Sequence, residues 1–204
     1  MHLCPSLRAA VWLAVLTSLV SASPCRAWLY DGGPEQHAAV SVAEGTNCVW
    51  VAQPFVLTSD CWATTFGAGI GRFQGPTDAG FDVYITTTLD GLPGSAMFKL
   101  PQPLVPKTAG FVYYYETIET PLFLNKDVAY AMVLMPSNPG FGGMVSLSAW
   151  SGYYGLGTGD YGQSWYYLAR PLCVRLDGYP VPEPASISLL LVGLCSIGLL
   201  RKRC

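Results

Sequence analysis

Phe81-Asp82-Val83-Tyr84-Ile85-Thr86 alternates residue by residue, and Val128-Ala129-Tyr130-Ala131-Met132-Val133-Leu134-Met135 is apolar on both sides. The first stretch has the period of two of a strand with one face in a core. The second reads as a central strand covered by another layer. Working outward, Val145, Leu147 and Ala149 alternate with Ser146 and Ser148 in the same way. Asn47 to Gln53, Pro54 to Thr58, Thr64 to Ile70, Phe111 to Ile118 and Leu172 to Asp177 are further candidate strands. Turn chemistry separates them: Asp90-Gly91, Leu92-Pro93-Gly94, Pro136 to Gly140 and the Gly-rich Gly152 to Gly162. No helical stripe ten residues long interrupts the pattern between Trp28 and Pro182. About nine short strands so spaced predict an all-β fold, a single β-sandwich of jelly-roll-like topology.

That domain is bordered by two apolar segments of another kind. Met1 to Arg8, with Arg8 as its only full charge, precedes the apolar run Ala9 to Val20, the layout of a secretory signal peptide. Small-residue cleavage sites follow Ala22 and Ala27, and placing the boundary at the second gives a signal peptide over 1–27. Pro24 disfavours reading Cys25 as a lipidated cysteine. At the other end the apolar run 185–200 meets Arg201, Lys202 and Arg203. As a helix it spans about 24 Å, short of the roughly 30 Å of bilayer hydrocarbon but long enough for a marginal transmembrane helix. The cations act as a membrane stop and, by the positive-inside bias, keep the C-terminus cytoplasmic and the domain on the far side. The expected organisation is therefore a signal peptide, an exported sandwich over 28–180 and a tail over 181–204.

Val181-Pro182-Glu183-Pro184-Ala185, the short hydrophobic helix and the terminal basic cluster resemble the PEP-CTERM sorting signal, a tail also labelled the C-terminal domain of ice-binding proteins. The resemblance implies recognition of Pro182, Glu183 and Pro184 by an exosortase-type membrane processing enzyme, and export to the cell surface or extracellular matrix. Physically, Pro-Glu-Pro is stiff, extended and non-helical, so it holds a cleavable segment clear of both helix and globule. Val51 to Leu57, Asp82 to Ile85 with Asp90 to Gly94, and Gly162 to Tyr166 with Leu172 to Leu176 resemble the lectin-like jelly-roll modules found ahead of such tails. That second likeness implies a fold and names no binding residue.

Charge and chemistry narrow the function. In the exported domain eight Asp and four Glu face three Lys and three Arg, a balance of −6, which argues against nucleic acid and against electrostatic binding to anionic lipid. The chain is 51% hydrophobic, a figure raised by the two terminal segments, so it says little of the domain. His37, in a loop beside Pro34, is the domain's only histidine, leaving little for a nucleophilic triad or a zinc site. Gly67-Ala68-Gly69-Ile70-Gly71 lacks the spacing and the following helix of a dinucleotide loop and reads as a glycine-rich strand or bulge. Glu116 and Glu119 have nothing to place them across a cleft as a glycosidase pair. Asp78, Asp82, Asp90 and Asp160 lie in or near turns where calcium is possible, without EF-hand spacing. The reading is non-catalytic; the alternative is a secreted hydrolase or an accessory domain of one.

The strongest ligand signal is aromatic. Trp150, Tyr153, Tyr154, Tyr161 and Trp165 fall in one glycine-threaded stretch that continues to Tyr166 and Tyr167, and flat rings on a sandwich hold the apolar faces of sugars. Extracellular polysaccharide is the partner class this suggests, although strands and cores also favour aromatics. Of seven cysteines, Cys48, Cys61 and Cys173 belong to the exported domain. Their odd number allows one bridge, with Cys48–Cys61 the first candidate and Cys61–Cys173 an alternative.

Overall fold

The computed structural model describes residues 27–33, 35–108, 110–149 and 154–181. They form twelve strands and no helix: β1 Ala27–Asp31, β2 Glu35–Ala43, β3 Trp50–Val56, β4 Cys61–Gln74, β5 Phe81–Leu89, β6 Leu92–Lys99, β7 Val112–Leu124, β8 Ala129–Pro136, β9 Gly142–Ser148, β10 Leu156–Thr158, β11 Tyr166–Tyr167 and β12 Val174–Pro180. The whole of this fold occupies Ala27–Pro180.

Two antiparallel sheets result. In the first, β12 pairs with β4 over Cys61–Ala68 and β9 follows on the same edge from Ile70, while β7 runs along the opposite edge. β1 extends this sheet beyond β12, and β2 extends it beyond β9. The second sheet has the order β11-β10-β3-β8-β5-β6. Alternation dictates what lies between the sheets. Phe81, Val83 and Ile85 of β5 and Tyr130, Met132 and Leu134 of β8 point inward, against Phe66, Ile70, Val145, Val174 and Leu176 of the other sheet. Phe81 packs edge-on to Phe141 at 5.2 Å between centroids. Tyr130 is buried to 1%, and its hydroxyl accepts the Asn125 N–H at 2.9 Å, so the core ring keeps a partner for its polar atom. Gln53, fully buried, links the layers: its Oε1 accepts the Leu172 N–H at 2.7 Å, and its Nε2 donates to the Pro54 carbonyl at 3.0 Å.

Several sequence expectations are revised. Asn47–Gln53 and Pro54–Thr58 are not two strands divided at Pro54 but a single β3 that runs through it. β10 pairs only with Trp50–Ala52 of β3, so among the described residues that edge has no strand neighbour beyond Ala52 and a missing N–H costs no ladder bond. Leu92-Pro93-Gly94 is not a turn; it opens the edge strand β6. The turn is Asp90-Gly91 alone, with φ of 52° and 80°, the two positive values a two-residue hairpin of matching twist requires. His37 lies on β2 and not in a loop. The Gly67–Gly71 run is a strand, as expected, and a Cβ at Gly67 would stand 2.5 Å from the Tyr115 ring.

The proposed Cys48–Cys61 bridge is not formed; Cys48, Cys61 and Cys173 are all buried, and the Cys48 and Cys61 thiols are not joined to each other. The reason is β3. The chain is extended from Trp50 to Val56, about 20 Å, whereas a bridge needs Cα atoms within about 7 Å. Cys48 instead sits at the start of β3, where its thiol donates to the Trp50 carbonyl at 3.4 Å. Burial, with Asp60 nearby, pushes the Cys61 thiol up to about 11.

Candidate functional site

Among the described residues no further layer of strands covers the outward face of the second sheet. Ala52 and Val133 are nonetheless buried, packed with Leu156, Tyr84, Met135 and Trp165 into a small second cluster. What covers them is the segment after β10, which folds back over the sheet and carries Tyr161 and Trp165.

Asp160 sets the shape of that segment. Its Oδ1 accepts the Thr158 hydroxyl at 2.7 Å and the Ser164 N–H at 2.8 Å, and its Oδ2 accepts the Ser164 hydroxyl at 2.5 Å. These donors, those from Ser164 foremost, hold its carboxyl down at about 2. The Thr158 hydroxyl oxygen in turn accepts the Gly162 N–H at 3.1 Å. The loop so closed forces Tyr161 to a φ of 57°, a conformation uncommon for a bulky residue, and Gly162 to 86°. A Cβ on Gly162 would come within 2.8 Å of the Trp50 ring, so the glycine gives the indole a bare backbone to lie against. Tyr161 then meets Trp50 edge-on at 5.9 Å, and its hydroxyl donates to Glu44 Oε1 at 3.3 Å.

This ring pair divides two open hollows. One, of about 250 Å³, has Tyr84, Thr86, Pro93, Val133 and Trp165 around it. The other, of about 270 Å³, has a polar rim from Glu44, Asp82, Ser137 and Asn138. Trp50, Met135 and Tyr161 border both. Asp82 is held by Lys99, whose Nζ lies 2.6 Å from Oδ2 and 5.3 Å from the Tyr84 ring centroid. The hydrogen bond to Asp82 raises the Lys99 ammonium above its usual range. The result is an aromatic platform with apolar floor on one side and carboxylates and amides on the other.

The expected aromatic set is only partly assembled. Tyr161 and Trp165 border the groove. Tyr154 is elsewhere, edge-on to Tyr167 at 6.0 Å. Tyr166 turns its hydroxyl to the Asn47 carbonyl at 3.0 Å, and burial together with Cys48 pushes its phenol up to about 12. Trp150 and Tyr153 lie outside the described residues. Sequence reasoning missed Trp50, Met135 and Glu44. Tyr84 was on the outward side of the β5 alternation, the one signal available for the groove floor. The acidic candidates do not gather: Asp82 pairs with Lys99, Asp160 is taken up by its own loop, and Asp90 caps a hairpin. Among the described residues no three of His, Cys, Asp and Glu converge as metal ligands. Glu116 and Glu119 are on the long edge strand β7 and border neither hollow.

Comparison with known proteins bears on the tail. Residues 180–203 match the PEP-CTERM protein-sorting motif. The chain carries a PEP-CTERM signal. That motif marks an exported protein, associated with the membrane through its C-terminus before exosortase processing. Pro182, Glu183, Pro184, Arg201, Lys202 and Arg203 lie within the match. They lie outside the described residues, as do the apolar run 185–200 and all but Ala27 of the signal peptide expected over 1–27. No curated protein matches the chain.

Proposed function

We propose that this PEP-CTERM protein is a non-catalytic glycan-binding module of the cell surface or its polysaccharide matrix, with the Trp50–Tyr161 groove as its binding site. The observation that carries the reading is the junction of the two hollows on that ring pair. A pyranose presents an apolar face that stacks on an exposed ring and equatorial hydroxyls that need acceptors and donors at its edge. Trp50, Tyr161 and Trp165 supply the first; Glu44, Asp82, Ser137 and Asn138 supply the second. Two adjoining hollows of this size suit consecutive sugar units of a chain rather than a single free sugar. A glycan array probed with the full chain in detergent, beside its Trp50→Ala variant, tests this. Binding to polysaccharides that the variant loses is the expected result; equal signals from both proteins overturn the assignment of the groove.

One observation favours the alternative, a hydrolase: Glu44 and Asp82 border the same hollow. Against it, Asp82 is already engaged by Lys99 and Glu44 by the Tyr161 hydroxyl. Prolonged incubation with whichever polysaccharide binds, followed by assay for new reducing ends, separates the two. Release that Glu44→Gln abolishes is the hydrolase outcome.

A further inference from the structure

We infer that the end of the sandwich from which the PEP-CTERM tail departs rests on a zwitterionic lipid surface. Pro180, the last residue of β12, lies in register with Cys61 at the start of β4, and Cys61 with Leu124 at the end of β7. The loops that leave these strands cross to the other sheet at the same end. There Asp127 N donates to the Leu57 carbonyl at 3.1 Å, Lys126 N to Asp60 Oδ1 at 2.7 Å, and Thr88 Oγ1 to the Ala129 carbonyl at 3.3 Å. The hairpin tip Leu89–Leu92 thereby lies at the same end of the sandwich as the tail's exit.

This end is greasier than a solvated rim should be. Among the described residues eight large apolar side chains other than tyrosine are exposed, and five are here: Val56, Trp62, Leu89, Leu92 and Phe123. Leu89 is 74% exposed at the tip of its hairpin. Trp62 and Phe123, cross-strand partners, pack ring to ring at 4.9 Å and leave their outer surfaces uncovered. Only Val181 to Pro184 separate Pro180 from the apolar run 185–200, a tether of at most about 14 Å. Roughly 5 to 7 Å of that is headgroup layer. The rim is therefore held within reach of the interfacial zone, where indole rings and apolar tips are favoured. Its charges choose the lipid: Asp60, Asp90 and Asp127 stand against Lys126, a balance that anionic headgroups repel.

The inference rests on C-terminal anchoring and is independent of what the groove binds. Its test uses the full chain in phosphatidylcholine proteoliposomes whose acyl chains are brominated close to the glycerol. Bromine should quench a component of the tryptophan emission that is absent from Trp62→Tyr and strongly reduced when Leu89→Asp and Leu92→Asp are combined. That component should persist at high salt, since the contact is apolar. Identical quenching of the native chain and Trp62→Tyr overturns the rim contact while leaving the anchor intact. A chain that fails to float with the lipid overturns the anchoring and this inference together.

Discussion

The two sheets both wear aromatic rings on their outer faces, yet one surface is closed and the other open. On the first sheet Tyr113 and Tyr115 of β7 pair in register with Gly69 and Gly67 of β4. They stack at 5.9 Å and 20° and are fixed by Arg175. Its guanidinium lies 4.5 Å from the Tyr113 ring, donates to the Tyr115 hydroxyl at 3.1 Å and pairs with Asp31 at 3.0 Å. The Tyr113 hydroxyl donates to the Gly33 carbonyl at 3.1 Å, and burial pushes that phenol well up. On the second sheet the outward positions beneath the groove are Tyr84, Thr86, Val133 and Met135, whose side chains keep the groove's rings off the strand backbone. Trp50, Tyr161 and Trp165 arrive from a strand end and a loop, and space remains between them. The number of rings is no guide to a site; the residues beneath them decide whether they fill a surface or frame a hollow.

The severest break of this contrast is Arg175→Met. It leaves the Asp31 carboxylate, 16% exposed, with the Gly33 N–H at 2.9 Å and without its cation. The cost is about 2 to 3 kcal/mol, a fall in Tm of roughly 5 to 10 °C by calorimetry. Polysaccharide binding should be unchanged; a parallel loss of binding means the two faces are not independent. Next is Trp50→Ala, which removes the shared platform. Affinity measured by titration calorimetry should fall about tenfold or more, about 1.4 kcal/mol, with a smaller change in Tm than Arg175→Met causes.

Smaller still is Asp160→Ala, which unties the loop without touching its rings. A loss of affinity of about threefold to fivefold is expected, as the ordering of Tyr161 is transferred to the binding step. An affinity drop matching that of Trp50→Ala would instead make Asp160 itself a ligand contact. The gentlest probe is pH. Because the Asp160 carboxyl is held at about 2, below its ordinary 3.8, its hold on the loop is complete above about pH 4 and is lost as pH falls through about 2. Binding should be flat from pH 7 to about 4 and decline only below, and a decline that begins near neutrality points to a different titrating group.

Much of the scaffold was legible in the chain because strand alternation is local. Phe81, Val83 and Ile85 announced the core face of β5, and Asp90-Gly91 announced its hairpin. What failed were boundaries and reach. Pro54 suggested a break because a proline weakens a central strand, and only the short extent of β10 explains why it does not. The cysteine pairing was guessed from separation along the chain, which carries no information about the extended strand lying between the two thiols. Of the five aromatic candidates Tyr161 and Trp165 border the groove, two lie outside the described residues, and Tyr154 turns to Tyr167 instead.

By itself the sequence determined an all-β exported domain, because a period of two, turn residues and a PEP-CTERM tail are written in neighbouring residues and need no partner to be read. Tertiary structure alone decided the groove and the greasy rim. Trp50, Tyr84, Met135 and Tyr161 come together only through the pairing of β3 with β8 and β10 and of β8 with β5, and Val56, Trp62, Leu89 and Phe123 only through strands ending at a common level. Register between distant strands is a property of the closed core, where a slip of one residue would turn every inward side chain out to water.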